Sequence, residues 1–140
     1  MPDLWRVAPS MMDIVAAYFP ETKPKGALRL RPCLITRVLS NSVTGQFACE
    51  VAYGTSKMAS VHRGDYIVVH NTSDLDAMGL AMATIFAMDV AKRVTLPWSD
   101  QFFGCWSSKK SPRIGTLTTE YQKEFAFILM HQRKVAGLLS

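Results

Sequence analysis

The most regular alternation in the chain runs over residues 46–53. Phe47, Cys49, Val51 and Tyr53 fall on one face, and Gln46, Ala48, Glu50 and Ala52 on the other. Side chains of a strand point to its two faces in turn, so this period predicts a half-buried β-strand. Residues 12–19 read as an earlier strand stopped by Pro20, and residues 33–39 as a second, carrying β-branched Ile35, Thr36 and Val38. Residues 21–26 are a polar loop holding Pro24 and Gly26, and residues 40–45 supply turn formers before the alternating segment. A short strand is predicted over residues 66–70, behind the turn signal of Gly64 and Asp65. Residues 79–88 are apolar at nearly every position. Thr84, Ile85 and Phe86 at the centre, with Gly79 ahead of them, favour strand over buried helix there.

The period changes near the end. Thr119 followed three residues later by Gln122 has the form of a capping box. Tyr121, Phe125, Ile128 and Leu129 then recur at helical spacing. Arg133 and Lys134 suit the negative end of a helix dipole, and Gly137 can take the left-handed stop, so a helix is predicted over residues 119–136. Several short strands and one terminal helix predict a mainly β fold. The expected architecture is a small, strongly curved β-barrel or coiled sheet with the helix packed on it. A doubly wound α/β fold needs helices between its strands, and the early chain shows none.

Composition narrows the class. At 140 residues the chain fits one domain over 1–140, and 49% hydrophobic with 19% charged residues is the make-up of a globular protein rather than a disordered one. Asp3, Arg6, Pro9 and Asp13 interrupt the stretch where a signal peptide needs a clean apolar run, and no window matches a spanning helix. Cys33, Cys49 and Cys105 are odd in number and widely spaced, which speaks against a zinc site and for a reducing cytoplasm. Cys33 and Cys49 lie in apolar runs and read as small buried hydrophobes, the eight methionines as core filler. A formal charge of +5 admits an anionic partner such as nucleic acid.

Two short constellations carry candidate chemistry. In Arg29-Leu30-Arg31-Pro32 the proline restricts the backbone of Arg31 at the entrance of a strand, a way to aim a guanidinium. That planar, permanently charged fork suits the oxygens of a phosphodiester. In Gly54-Thr55-Ser56-Lys57 a glycine permits close approach, and two hydroxyls and an ammonium follow that can hold a phosphate. Taken singly, each also reads as ordinary surface: a solvated loop arginine beside an edge proline, and a polar turn. His62, His70 and His131 invite an acid–base reading; His62 is near Thr55 in sequence but also reads as an ordinary surface histidine, and His131 on the helix reads as structural or exposed. Trp98, Phe102, Phe103 and Trp106 beside Lys109, Lys110 and Arg113 could stack single-stranded bases, or form a core or dimer patch. Packing is the reading for Leu96-Pro97-Trp98, and backbone contacts for Lys109 and Lys110.

The order of these landmarks is similar to the PemK/MazF family of type II toxin–antitoxin toxins. RPCLITRV, a short loop and FACEVAYGTSK resemble that family's Arg-Pro strand and its later strand ending in a Thr/Ser motif. Met12-Asp13-Ile14-Val15, Phe19-Pro20-Glu21, Met78-Gly79-Leu80 with Thr84 and Phe86, Leu96-Pro97-Trp98 and Ile114-Gly115-Thr116-Leu117 extend the likeness over most of the chain. The resemblance implies an SH3-like barrel, a homodimer, no cofactor, a cognate antitoxin protein as partner and metal-independent cleavage of single-stranded mRNA at short motifs. It makes Arg31 and Thr55 the catalytic pair, with Arg29, Ser56, Lys57, Lys109 and Lys110 as substrate contacts. The expected chemistry is attack of the RNA's own 2′-OH on the adjacent phosphorus. The chain departs from the pattern at Met12, where glycine is frequent, and at Ile85, where many members carry arginine. The same barrel type also suits a non-enzymatic binder, of gyrase or of nucleic acid, or an inactive member that only pairs with a partner.

Overall fold

The computed structural model describes residues 5, 7–18, 30–57, 65–105 and 110–139. In chain order the strands are β1 (Asp13–Tyr18), β2 (Leu30–Ser40), β3 (Phe47–Thr55), β4 (Tyr66–Val69), β5 (Thr84–Ala87), β6 (Val94–Pro97) and β7 (Arg113–Thr116). Helix α1 (Thr72–Met78) links β4 to β5, and α2 (Thr119–Leu139) ends the chain. All strand pairings are antiparallel, in the order β4-β5-β3-β2-β1-β7, with β6 also paired to β3.

Strand β3 sets the curvature. Its first half, Ala48 to Val51, pairs with β6, whereas its last two residues, Gly54 and Thr55, pair with β5. One strand exchanging neighbours along its length bends the sheet, and a register shift in β2 between Ile35 and Arg37 adds to the bend. The result is a curled, half-barrel sheet closed on one side by α2, the mainly β architecture expected with a C-terminal helix.

Curling buries both faces of the central strands. Ile14, Leu34, Ala52, Ile67, Val69 and Phe86 form one core with Met78, Met88, Leu117, Phe125 and Ile128. Val15, Ala17, Cys33, Ile35, Cys49 and Val51 form a second with Leu96, Trp98 and Phe103. Neighbours in sequence therefore enter different cores, and Asp13 to Ala17 are all buried. The predicted face of β3 holds at Cys49 and Val51, but Ala52 and Gly54 on the opposite face are buried as well. Both cysteines and Trp98 are packed as expected. The methionines divide: Met78 and Met88 are core, while Met11, Met82 and Met130 are exposed.

Several boundaries differ from the sequence reading, and β2 begins at Leu30 rather than at residue 33. Residues 79–83 are not strand, because α1 precedes them and only Thr84–Ala87 pairs. Asn71 caps α1 by accepting from the Ser73 N–H, and Gly79 closes it in the left-handed region at φ 73°. Helix α2 runs on to Leu139 through Gly137, since a glycine in an exposed helix costs only about 1 kcal/mol and compels no stop. At its start Gln122 donates its side-chain amide to the Leu117 carbonyl, 2.7 Å away, satisfying a carbonyl ahead of the helix. Strand β3 also extends through Thr55, where a turn was expected to begin.

A polar junction docks the helix. Arg93 donates to Glu50 Oε1 at 3.1 Å and to Gln132 Oε1 at 2.9 Å. Gln132 in turn donates to Asp65 Oδ2 at 2.9 Å and to the Met88 carbonyl at 2.8 Å, and Thr36 donates to Glu50 at 2.8 Å. One arginine thus ties β3 to α2. No helix among the described residues is long and apolar enough to cross a membrane.

Candidate phosphate site at the end of β2 and β3

The two constellations meet at one end of the sheet. Arg31 and Pro32 follow Leu30 at the start of β2 and pair with Ala17 and Ala16 of β1. The ladder to β3 starts one residue later, at Cys33 opposite Tyr53, so Pro32 stands where that ladder has ended. Arg31 lies two residues before Cys33, and Thr55 two residues after Tyr53. Strand parity therefore puts Arg31 and Thr55 on the same face and at the same sheet end.

Close backbone packing brings them there. A Cβ built on Gly54 would lie 2.6 Å from the Pro32 carbonyl oxygen and 3.0 Å from Phe86 and Thr84 side-chain atoms. Only glycine permits that approach. The opposite wall is held in a similar way, since a Cβ on Gly115 would lie 2.3 Å from the Met78 carbonyl oxygen and one on Gly79 2.5 Å from that of Ile114. Thr84 donates to the Met82 carbonyl at 2.8 Å and fixes the link between α1 and β5.

Between these walls is a cavity of about 590 Å³. Arg31, Thr55, Ser56 and Lys57 line it together with Leu80, Met82 and Ile114. No carboxylate lines it among the described residues, so the charge it presents is positive. Thr55 Oγ1 accepts the Lys57 backbone N–H at 3.2 Å. A hydroxyl has one donor and two acceptor positions, and this bond uses an acceptor position, so the O–H remains to donate to a ligand oxygen. The Arg31 guanidinium is centred 5.1 Å from the centroid of the Tyr53 ring. Cys33, paired with Tyr53 and fully buried, has its thiol pushed up to about 12 by burial, with the Gly54 backbone and the Arg31 charge acting the other way. It is a neutral packing group, not a nucleophile, at ordinary pH.

Of the residues singled out from sequence, Arg31, Thr55, Ser56 and Lys57 come together here. Lys110, His70 and His131 are exposed and do not line the cavity. Arg29, His62, Trp106 and Lys109 lie outside the described residues, as do Phe19, Pro20 and Glu21. Ile85 is fully buried and pairs with Thr55 across β3 and β5. Tyr53 and the apolar wall of Leu80, Met82 and Ile114 are additions from the structure. The signal for Tyr53 was present, since it precedes Thr55 by two positions on the alternating strand. The apolar wall depends on the α1 link, which no periodicity marked.

No protein-family model matches the chain, and no curated protein sequence matches it.

Proposed function

We propose that the chain is a PemK/MazF-type toxin, an endoribonuclease on an SH3-like barrel that cuts single-stranded mRNA without a metal. The observation that carries this reading is the meeting of Arg31, Thr55, Ser56 and Lys57 on one cavity. Guanidinium, hydroxyl and ammonium groups together complement a phosphodiester. The apolar residues Leu80, Met82 and Ile114 of the same cavity suit the base or ribose that a nucleotide carries beside its phosphate.

In the step proposed, the 2′-OH oxygen attacks the adjacent phosphorus while its proton leaves to a base. A bond forms from phosphorus to O2′ and the bond to O5′ breaks, with a proton delivered to O5′. The products are a 2′,3′-cyclic phosphate and a 5′-hydroxyl end. Arg31 stabilises the negative phosphorane and can stand beside the leaving oxygen, and the Thr55 hydroxyl donates to a phosphoryl oxygen. Ser56 and Lys57 bind the neighbouring backbone. A homodimer and a cognate antitoxin protein belong to the same reading and are supported by the sequence resemblance alone, and a cytoplasmic location by the sparse, widely spaced cysteines.

The test is incubation of the purified chain with single-stranded RNA in excess EDTA. Cleavage to cyclic-phosphate ends, lost in Arg31→Ala and Thr55→Ala, is the expected result. Intact RNA with retained binding would replace this reading with that of a non-enzymatic binder.

A further inference from the structure

An arginine at a strand end has a long, flexible side chain, and a reaction centre needs it in one place. The Tyr53 ring supplies one constraint. Its ring is half-buried and packs against the second core, so it is anchored from below. The Arg31 guanidinium lies over that ring with 5.1 Å to the centroid, inside the reach of about 6 Å at which a cation is drawn to an aromatic face. Such a contact uses the face of the guanidinium and none of its N–H donors, which lie in its plane.

Strand geometry joins this platform to the hydroxyl residue. Tyr53 and Thr55 are two positions apart on β3 and share a face, so one short segment provides both the support for Arg31 and the second polar group. Cys33, opposite Tyr53, belongs to the core on which that ring packs.

We infer that Tyr53 is a positioning residue for Arg31, holding the guanidinium at the cavity through its ring rather than its hydroxyl. The inference rests on the nuclease reading above and deepens it. Tyr53→Phe keeps the ring, and Tyr53→Leu removes it at similar bulk.

Steady-state cleavage of one RNA oligonucleotide is compared among the wild type and both variants, with thermal melts as a check of folding. Tyr53→Leu is expected to lower kcat by about 10–100-fold, the scale on which a misplaced catalytic group acts. Its KM stays within about threefold, since a transition-state interaction is lost rather than uniform binding. Tyr53→Phe remains within about threefold of wild type because the cation–π contact persists. An NMR readout needs no catalysis: the Arg31 Nε–Hε resonance is displaced by the ring current in wild type and Tyr53→Phe, and returns to its ordinary position in Tyr53→Leu. A folded Tyr53→Leu that cuts RNA at the wild-type rate overturns the inference and leaves the nuclease reading standing. A wild type with the displaced resonance that cuts no RNA overturns the nuclease reading, and the catalytic purpose of Tyr53 with it. An ordinary Arg31 resonance in the wild type overturns the contact itself.

Discussion

The carbonyl oxygen of Pro32 faces Gly54 so closely that a Cβ on residue 54 would sit 2.6 Å from it. This contact sets the spacing of the two strand ends that carry Arg31 and Thr55. A methyl group there has no flexible side chain to displace, because the obstacle is backbone. Gly54→Ala is therefore expected to cost about 1–3 kcal/mol through overpacking. At this chain length that lowers Tm by several degrees. Cleavage should fall further than stability does, because the spread strands separate Arg31 from Thr55. A variant that melts and cuts like wild type would show that the two strands have room to spare.

The junction at Arg93 gives a second prediction. Its side chain is only 10% exposed and Glu50 23%, so removing either leaves its partner charged in a poorly hydrated place. Arg93→Ala is expected to cost about 2–4 kcal/mol, somewhat below the value for a wholly buried pair. Gln132→Ala, which removes bonds to Arg93, Asp65 and Met88, should cost about 1–3 kcal/mol. The two losses should not add, since the residues share one network, and a double-mutant cycle by urea denaturation should show coupling of about 1 kcal/mol or more. Simple additivity would mean that the helix docks through its apolar face alone.

That junction also shows what local pattern can and cannot carry. The apolar face of α2 was legible because Phe125 and Ile128 repeat at helical spacing, and the strand around Cys49 and Val51 because its period is two. Arg93, Gln132 and Asp65 meet across 39 and 67 residues of chain, and nothing in their neighbourhoods announces it. Helix α1 escaped notice for a different reason: seven residues with Thr, Ser and Asp at the start look like a turn. At the candidate site, Arg31 and Thr55 were legible through the order of motifs around them. Tyr53 was read only as an apolar position on its strand, because its role depends on what lies opposite.

Burial pushes the thiols of both Cys33 and Cys49 from 9.0 up to about 12. In the folded chain they keep their protons between those values, while in the unfolded chain they ionise. Stability from this source is complete below pH 9 and is lost as pH rises toward 12. Loss of water around Tyr121, reinforced by its bond to Asp74, raises that phenol in the same direction and adds to the decline above pH 10. Urea unfolding at pH 8 and pH 10.5 should differ by about 2 kcal/mol per buried thiol. Cys33→Ala should show a shallower decline. At pH 8 a thiol reagent should label half-buried Cys105 first and reach Cys33 and Cys49 only on unfolding. A flat pH profile, or early labelling of Cys33, would contradict its burial.

Ile85 is, with Met12, one of two positions that depart from the pattern of the family proposed for the chain, and its surroundings say what that departure entails. It stands opposite Thr55 in the β3–β5 ladder and opposite Val68 in the β4–β5 ladder, with no exposed surface. An arginine in its place would take a guanidinium out of water with no carboxylate on either paired residue. Ile85→Arg is thus expected to cost more than about 3 kcal/mol, against about 0.5–1.5 kcal/mol for Ile85→Val. Thermal melts of the two variants decide this directly. With isoleucine there, positive charge beside Thr55 comes, among the described residues, from Lys57 and Arg31. Lys57→Ala should then raise KM for RNA and steepen no other defect, since Lys57 is exposed and its removal disturbs no core. If Ile85→Arg folds as well as wild type and cuts RNA faster, the side chain reaches solvent at the cavity, and isoleucine is a loss of function rather than a packing choice.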